Sequence, residues 1–210
     1  MDVKTLSLGM LGTNCYLISN GEEVLIVDPS DEAEAIFEAV DEINLPVAGI
    51  LLTHAHYDHI GALDEVHGKY DVDVYMNGEE REWIRDPQLN MSAKRASMGF
   101  SPIASEIEPV LMEEGPYSVG SFNFEIYHTP GHSPGSLSFY FEGEGKIFSG
   151  DVLFNGGVGR TDLREGSFDV LMRSIKDKLF QLDGSTTVYP GHGAETSIEK
   201  EKTTNPYIFQ

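Results

Sequence analysis

The order of elements along this chain predicts an α/β fold in four layers, α, β, β, α. Short β-like runs and helical periods alternate over the whole length. The succession of strands, helix and strands occurs twice, which suggests two similar halves, each a sheet with helices on one side. No repeat, low-complexity tract or Pro/Gly/Ser-rich linker divides the 210 residues, so one domain spanning 1–210 is expected.

The elements follow in order. Val3 to Leu8, Asn14 to Ser19 and Val24 to Val27 read as strands, the last two joined by an Asn20-Gly21 hairpin turn. Asp28-Pro29-Ser30-Asp31 ends a strand and starts a helix, with Ala33, Ile36, Phe37, Val40 and Ile43 at helical spacing. A buried strand, Val47 to Leu52, runs into His54-Ala55-His56-Tyr57-Asp58-His59. A helix from Ala62 to Tyr70, a strand Val72 to Met76 and a helix Gly78 to Arg85 complete the first half. Residues 86–104 carry no clean period and read as a loose cover or a pair of short helices. Strands return at Ile107 to Met112, Tyr117 to Val119, Ser121 to His128, Ser136 to Phe141 and Lys146 to Ser149. Ser167 starts a helix with Phe168, Leu171, Ile175, Leu179 and Phe180 on one face. A strand Thr187 to Tyr189 follows, and Thr196 with Glu199 forms a capping box for a terminal helix.

Composition excludes several classes. Apolar residues are 40% and charged residues 23%, too apolar for a disordered chain. The net charge of −21 repels phosphate backbones and anionic lipid surfaces, so neither nucleic acid nor membrane is an expected partner. No apolar run approaches the ~18 residues of a membrane span, and the start lacks a basic segment followed by an apolar one. A cytoplasmic protein is expected. The single cysteine, Cys15, sits in an apolar run without a nearby basic group and reads as a buried structural thiol.

The chemistry lies in the histidines and aspartates. Of the seven histidines, at 54, 56, 59, 67, 128, 132 and 192, three fall within six residues beside Asp58. Residues two apart in an extended stretch point the same way, so His54 and His56 can grip one metal while Asp58 and His59 face a second position. Further candidates end strands within turn-forming glycines: Thr129-Pro130-Gly131-His132, Ser149-Gly150-Asp151 and Tyr189-Pro190-Gly191-His192. Four polar groups desolvated after an apolar strand are costly without a cation to satisfy them. Six nitrogen or oxygen ligands and a shared carboxylate, with no cysteine, suit two ions of zinc, iron or manganese. His67 and His128 are assigned to packing.

Taken together, THAHYDH (53–59), HTPGHSPGS (128–136), SGD (149–151) and PGHG (190–193) resemble the metallo-β-lactamase superfamily over nearly the whole chain. The resemblance implies the αββα sandwich, with one metal on His54, His56 and His132, the other on Asp58, His59 and His192, and Asp151 bridging. Within the superfamily the chain is similar to the glyoxalase II branch, the hydroxyacylglutathione hydrolases. That likeness is carried by Thr13-Asn14-Cys15-Tyr16, Asp28-Pro29, Gly157-Val158-Gly159-Arg160, Glu165-Gly166-Ser167 and the terminal Asn205-Pro206. It implies two metal ions, zinc first and iron or manganese as options, and hydrolysis of a small-molecule thioester such as S-lactoylglutathione to lactate and thiol. A metal-bridging hydroxide is the implied nucleophile, with Asp58 as the catalytic carboxylate that orients it.

Asp151 stands where true β-lactamases carry a cysteine, which argues against that activity. The chain stops about ten residues after its capping box, so the C-terminal glutathione-binding helical domain of the branch is not expected. Gly159-Arg160-Thr161-Asp162 lacks the aromatic residue usual in glyoxalases and matches the persulfide dioxygenases better. The alternative function is therefore an iron-dependent persulfide dioxygenase of the same fold, with His54, His132 and Asp151 on one iron. Arg160 is read as a substrate-anion contact or as an ion pair with Asp162. Residues 86–104 are expected to cover the site and select substrate through Met91, Met98 or Phe100, or to pack against the sandwich. A metal-stabilised scaffold needs only four ligands, fewer than the chain offers.

Overall fold

A computed structural model describes residues 1–98 and 101–208, with the side chains of residues 96–98 left aside. The chain forms two compact units, Met1–Met112 with Ser118–Phe122, and Glu113–Tyr117 with Asn123–Gln210.

The first unit holds a six-stranded mixed sheet in sequential order. Strands β1 (Asp2–Leu8), β2 (Thr13–Ser19) and β3 (Val24–Val27) form an antiparallel meander. Strands β4 (Val47–Leu51), β5 (Val74–Asn77) and β6 (Val110–Met112) then add in parallel, each after a crossover. Parallel neighbours require such connections, and helices α1 (Ala33–Ile43) and α2 (Leu63–Tyr70) supply the first two. Alternate strand residues (Cys15 and Leu17, Val24 and Ile26, Ile50 and Leu52, Val74 and Met76) pack against Ile36, Ala39 and Val40 of α1 and Leu63 and Val66 of α2. The intervening residues Tyr16, Ile18, Leu25, Val27 and Leu51 are buried too, so β2, β3 and β4 read as continuous apolar runs.

The second unit contains most of a second six-stranded sheet, in the order β14-β13-β10-β9-β8-β7. Its strands are β7 (Gly115–Val119), β8 (Phe122–His128), β9 (Leu137–Phe141), β10 (Lys146–Gly150), β13 (Thr187–Pro190) and β14 (Thr196–Ser197), with a separate ribbon of β11 (Leu153–Phe154) and β12 (Gly157–Val158). Helices α3 (Phe168–Asp177) and α4 (Ile198–Thr204) cover Tyr140, Ile147 and Val188 with Leu171, Met172, Ile175 and Ile198. Opposite residues form an aromatic ladder, with Phe124 against Phe139 and Phe141, and Phe148 stacked on Tyr189 at 4.9 Å. Two sheets flanked by helices are therefore present, as the sequence predicts.

Three local expectations differ. Gly78 to Arg85 forms one 3-10 turn, Gly78–Glu80, followed by further turns instead of a helix. The Glu80 side chain turns inward to accept the Ala55 N–H, and the Trp83 carbonyl accepts from the Asn90 amide, so tertiary bonds displace the helical ladder. The terminal helix is capped by Ser197, which accepts the Lys200 N–H, because Thr196 lies in β14 and donates its hydroxyl to Glu201. The ribbon β11–β12 was not anticipated, since two residues per strand give no readable alternation.

Ile50 is fully buried between its sheet and the first two helices. Ile50→Ala is expected to destabilise the protein by about 2–5 kcal/mol, read as a lower urea midpoint at unchanged slope.

Candidate metal centre

The first unit gathers His54, His56, Asp58 and His59 in the loop that follows β4. In a parallel sheet this is the carboxyl end, where ligands of α/β proteins bind. Both neighbouring strands hold the loop from the same end. Beyond β3, Asp28 adopts a left-handed φ of 51° and is 2% exposed. Its Oδ1 accepts the Thr53 N–H at 2.7 Å, and its Oδ2 accepts the Thr53 hydroxyl at 2.6 Å and the His59 Nδ1–H at 2.8 Å. Beyond β5, Glu80 is fully buried and accepts the Ala55 N–H at 2.6 Å.

These bonds decide which ring nitrogens face inward. A hydroxyl has one proton, and that of Thr53 goes to Asp28, so the 3.1 Å contact from Thr53 Oγ1 to His54 Nδ1 requires the imidazole to donate. His54 and His59 thus both carry hydrogen on Nδ1 and present Nε2 as the lone-pair donor. The ring centroids of His54 lie 4.8 Å from His56 and 4.0 Å from His59, and all three residues are buried. Asp58 accepts the Thr13 hydroxyl at 3.1 Å and lies 3.8 Å from His59 Nε2.

The second unit gathers His132, Asp151 and His192. Asp151 Oδ2 stands 3.6 Å from His132 Nε2 and 3.5 Å from His192 Nε2, midway between two imidazoles. His132 Nδ1 donates to the Arg160 carbonyl at 2.8 Å, which again turns Nε2 inward. The His132 loop runs against α3 so closely that a Cβ on Gly131 would lie 2.3 Å from the Leu171 backbone, and its φ of 133° is open only to glycine.

All seven expected ligands therefore fall into these two groups, and their His/Asp clusters are suitable for metal. Imidazole Nε2 donors with the other nitrogen hydrogen-bonded, and carboxylates between them, fit zinc, iron or manganese. Asp28 and Glu80 went unrecognised as organisers of the site. Asp28-Pro29 reads in the sequence as a strand end and as part of the family likeness, without a role at the site, and nothing local distinguishes Glu80 from the surface acids beside it.

His128 receives a structural role, its Nε2 donating to the Pro134 carbonyl. Cys15 is fully buried in the first core, and burial, with the Asp28 carboxylate second, pushes its thiol well above the ordinary range. Arg160 makes a bidentate pair with Asp162 at 2.7 and 2.8 Å, which holds the Asp162 carboxyl down to about 2. In the 86–104 segment, the Asn90 carbonyl accepts the Tyr57 N–H and the Arg95 guanidinium lies 4.8 Å over the Tyr57 ring, so this stretch packs on the ligand loop. Met91 is buried with φ 68°, while Phe100 and the Met98 side chain lie outside the described residues.

The family pattern of the metallo-β-lactamase superfamily matches residues 8–192. The chain belongs to that superfamily. This metallo-β-lactamase superfamily member is 40% identical over 208 residues to a probable metallo-hydrolase, YqgX, of Bacillus subtilis, covering 99% of this chain and 98% of that one. It is 35% identical over 215 residues to the hydroxyacylglutathione hydrolase GloC of Haemophilus influenzae, covering 99% and 98%. Among solved structures, BLEG-1 B3 metallo-β-lactamase superposes with a TM-score of 0.94 at 40% identity over all of both chains. A di-iron-bound form of TTHA1623 gives 0.88 at 36%, covering 98% of this chain and all of that one. The ETHE1 of Myxococcus xanthus gives 0.79 at 27%, covering 98% and 84%. Among the described residues no helix is long and apolar enough to cross a membrane.

Asparagine tolerates the left-handed backbone of residue 28 but presents an N–H2 to one set of donors. Asp28→Asn is expected to weaken metal binding about 10–100-fold in chelator competition. The urea midpoint should fall by the equivalent of about 1–3 kcal/mol. Cys15 is expected to resist an aromatic disulfide reagent at pH 8 in the native protein and to react fully in guanidinium, followed by absorbance.

Proposed function

We propose that this superfamily member is a binuclear metallohydrolase that cleaves the thioester of an S-acylglutathione-like small molecule. The observation that carries the reading is the donor set itself: five histidines and two aspartates, no thiolate, and ring tautomers set by hydrogen bonds on Nδ1. His54, His56 and His132 would hold one metal and Asp58, His59 and His192 the other, with Asp151 available to both. Zinc is the first choice of ion, with iron and manganese as alternatives. Full-length similarity to GloC supports the thioester as substrate.

When bound, two such ions supply an acidified water and polarise an acyl carbonyl. The chain's own groups do the rest. Asp58, anchored through Thr13, orients the attacking water toward the acyl carbon. The new carbon–oxygen bond forms and the carbon–sulfur bond breaks. The thiolate leaves without a strong general acid because a thiol, with a pKa of about 8.5, is far more acidic than an alcohol, and it then takes up the proton that the water gives up. Asp28 and the Arg160 carbonyl keep the imidazoles at fixed orientation while charge builds on the carbonyl oxygen.

A second reading, an iron persulfide dioxygenase using His54, His132 and Asp151, is favoured by Gly159-Arg160-Thr161-Asp162. The likeness to a B3 metallo-β-lactamase also places a β-lactam among the compounds to try.

Protein purified anaerobically without added metal should contain about two zinc, iron or manganese ions per chain by elemental analysis. It should hydrolyse S-lactoylglutathione within a panel of thioesters, and Asp58→Ala should lower kcat about 10²–10⁴-fold. One iron per chain with oxygen uptake on glutathione persulfide would instead establish the dioxygenase. β-Lactam turnover exceeding that of every thioester would overturn the substrate class.

A further inference from the structure

Glu201 and Asn205, on and just beyond α4, are completely buried polar residues that take no part in the chemistry above. Asn205-Pro206 is also a sequence signature left without a role in that chemistry. We infer that Glu201 and Asn205 form a clamp that positions the metal-ligand set of the second unit by holding the β11–β12 ribbon. The inference rests on the reading of His132, Asp151 and His192 as ligands.

The clamp grips the tip of the ribbon. Its turn is Asn155-Gly156, with Gly156 at a φ of 73°. Glu201 Oε2 accepts the Gly156 N–H at 3.0 Å and the Asn205 Nδ2–H at 2.8 Å, while Oε1 accepts the Thr196 hydroxyl. The same Asn205 amide nitrogen donates to the Gly157 carbonyl at 3.0 Å. A carboxylate offers acceptors only, and here donors surround it on both oxygens, so neither residue is interchangeable with an isostere. At the surface Asn155 donates to the Glu195 carbonyl at 3.0 Å and accepts from Lys200 at 2.7 Å.

The other side of the ribbon and its exit meet all three ligands. The Phe154 ring stands edge-on to His192, centroids 6.1 Å apart at 86°. Gly159, immediately after β12, passes so close to Asp151 that a Cβ would lie 1.9 Å from its carbonyl oxygen and 3.2 Å from the His132 Cβ. The next carbonyl, of Arg160, receives the His132 Nδ1–H. A ribbon with two residues per strand has little stability of its own. Metal ligands tolerate displacements of only about 0.2 Å. The buried bonds to α4 are what hold the ribbon to that tolerance, so Glu201 and Asn205 are positioning residues acting through it.

The test compares Asn205→Ala and Glu201→Gln with Ile175→Val, a one-methyl core change in the same unit that touches none of these hydrogen bonds, and with the surface double variant Asn155→Ala/Lys200→Ala. Amide hydrogen exchange of residues 153–160 is read in the metal-free protein, and zinc affinity by chelator competition. The clamp variants should exchange at least about tenfold faster across the ribbon and bind zinc about tenfold more weakly, with Ile175→Val unchanged in both. Folded clamp variants with wild-type exchange over 153–160 and wild-type zinc affinity would overturn the inference. Should the buried variants fail to fold, the surface double variant decides by the same two readings. Wild-type protein that binds no zinc, iron or manganese would overturn the ligand reading, and with it the link to metal, while faster ribbon exchange in the variants would still support the clamp itself.

Discussion

The Asp28 carboxylate is the contact on which the first unit depends. It lies beyond the end of one parallel strand and is bonded to the backbone and side chain of Thr53 just past the next, and to the His59 imidazole six residues further along. Burying a carboxylate is costly unless its oxygens are satisfied, and here the bonds that satisfy it orient the candidate ligand His59 directly and His54 through the Thr53 hydroxyl. The left-handed backbone of Asp28 belongs to the same constraint, because it turns the side chain back across the strand ends.

The second unit solves the same problem with backbone instead of a carboxylate. His132 is oriented by a peptide carbonyl, and the loops carrying His132 and Asp151 approach their neighbours at glycines where no side chain fits. Close approach of main chain takes the place of a direct bond from a ligand residue to a buried acid, while Glu201 acts only through the ribbon, and helices α3 and α4 brace these loops. The Ser174 hydroxyl reaches the Pro130 carbonyl and the Gly131 carbonyl accepts the Ser167 N–H, which ties the His132 loop to both ends of α3. The two sheets thus carry equivalent ligand types on different supports.

Charge has a modest part in this arrangement. The chain carries a net charge of −21, yet the acids that matter are buried and bonded, and the excess is spread over exposed positions. Arg160, whose carbonyl accepts the His132 ring N–H, engages Asp162 through its side chain in a solvent-exposed pair. Exposed pairs contribute little to stability, so this one matters chiefly for the charge the loop presents. An anionic substrate of the proposed kind would then be drawn by cations held at the candidate metal centre more than by Arg160.

The sequence by itself determined the fold class, the strands of both sheets except β14, the helices α1, α2 and α3 with a terminal helix, and the seven candidate ligands. These signals are local: apolar runs, helical spacing and histidines clustered after strands survive any rearrangement of the rest. Only the tertiary structure decided the supports. Asp28, Glu80, Glu201 and Asn205 are distant in sequence from what they hold, and an acid destined for burial looks in the sequence like any other acid. The helix expected at Gly78 to Arg85 and the cap expected at Thr196 yielded for the same reason. Glu80 and Thr196 have partners 25 and five residues away, and satisfying a buried polar group outweighs a local propensity worth a fraction of a kcal/mol.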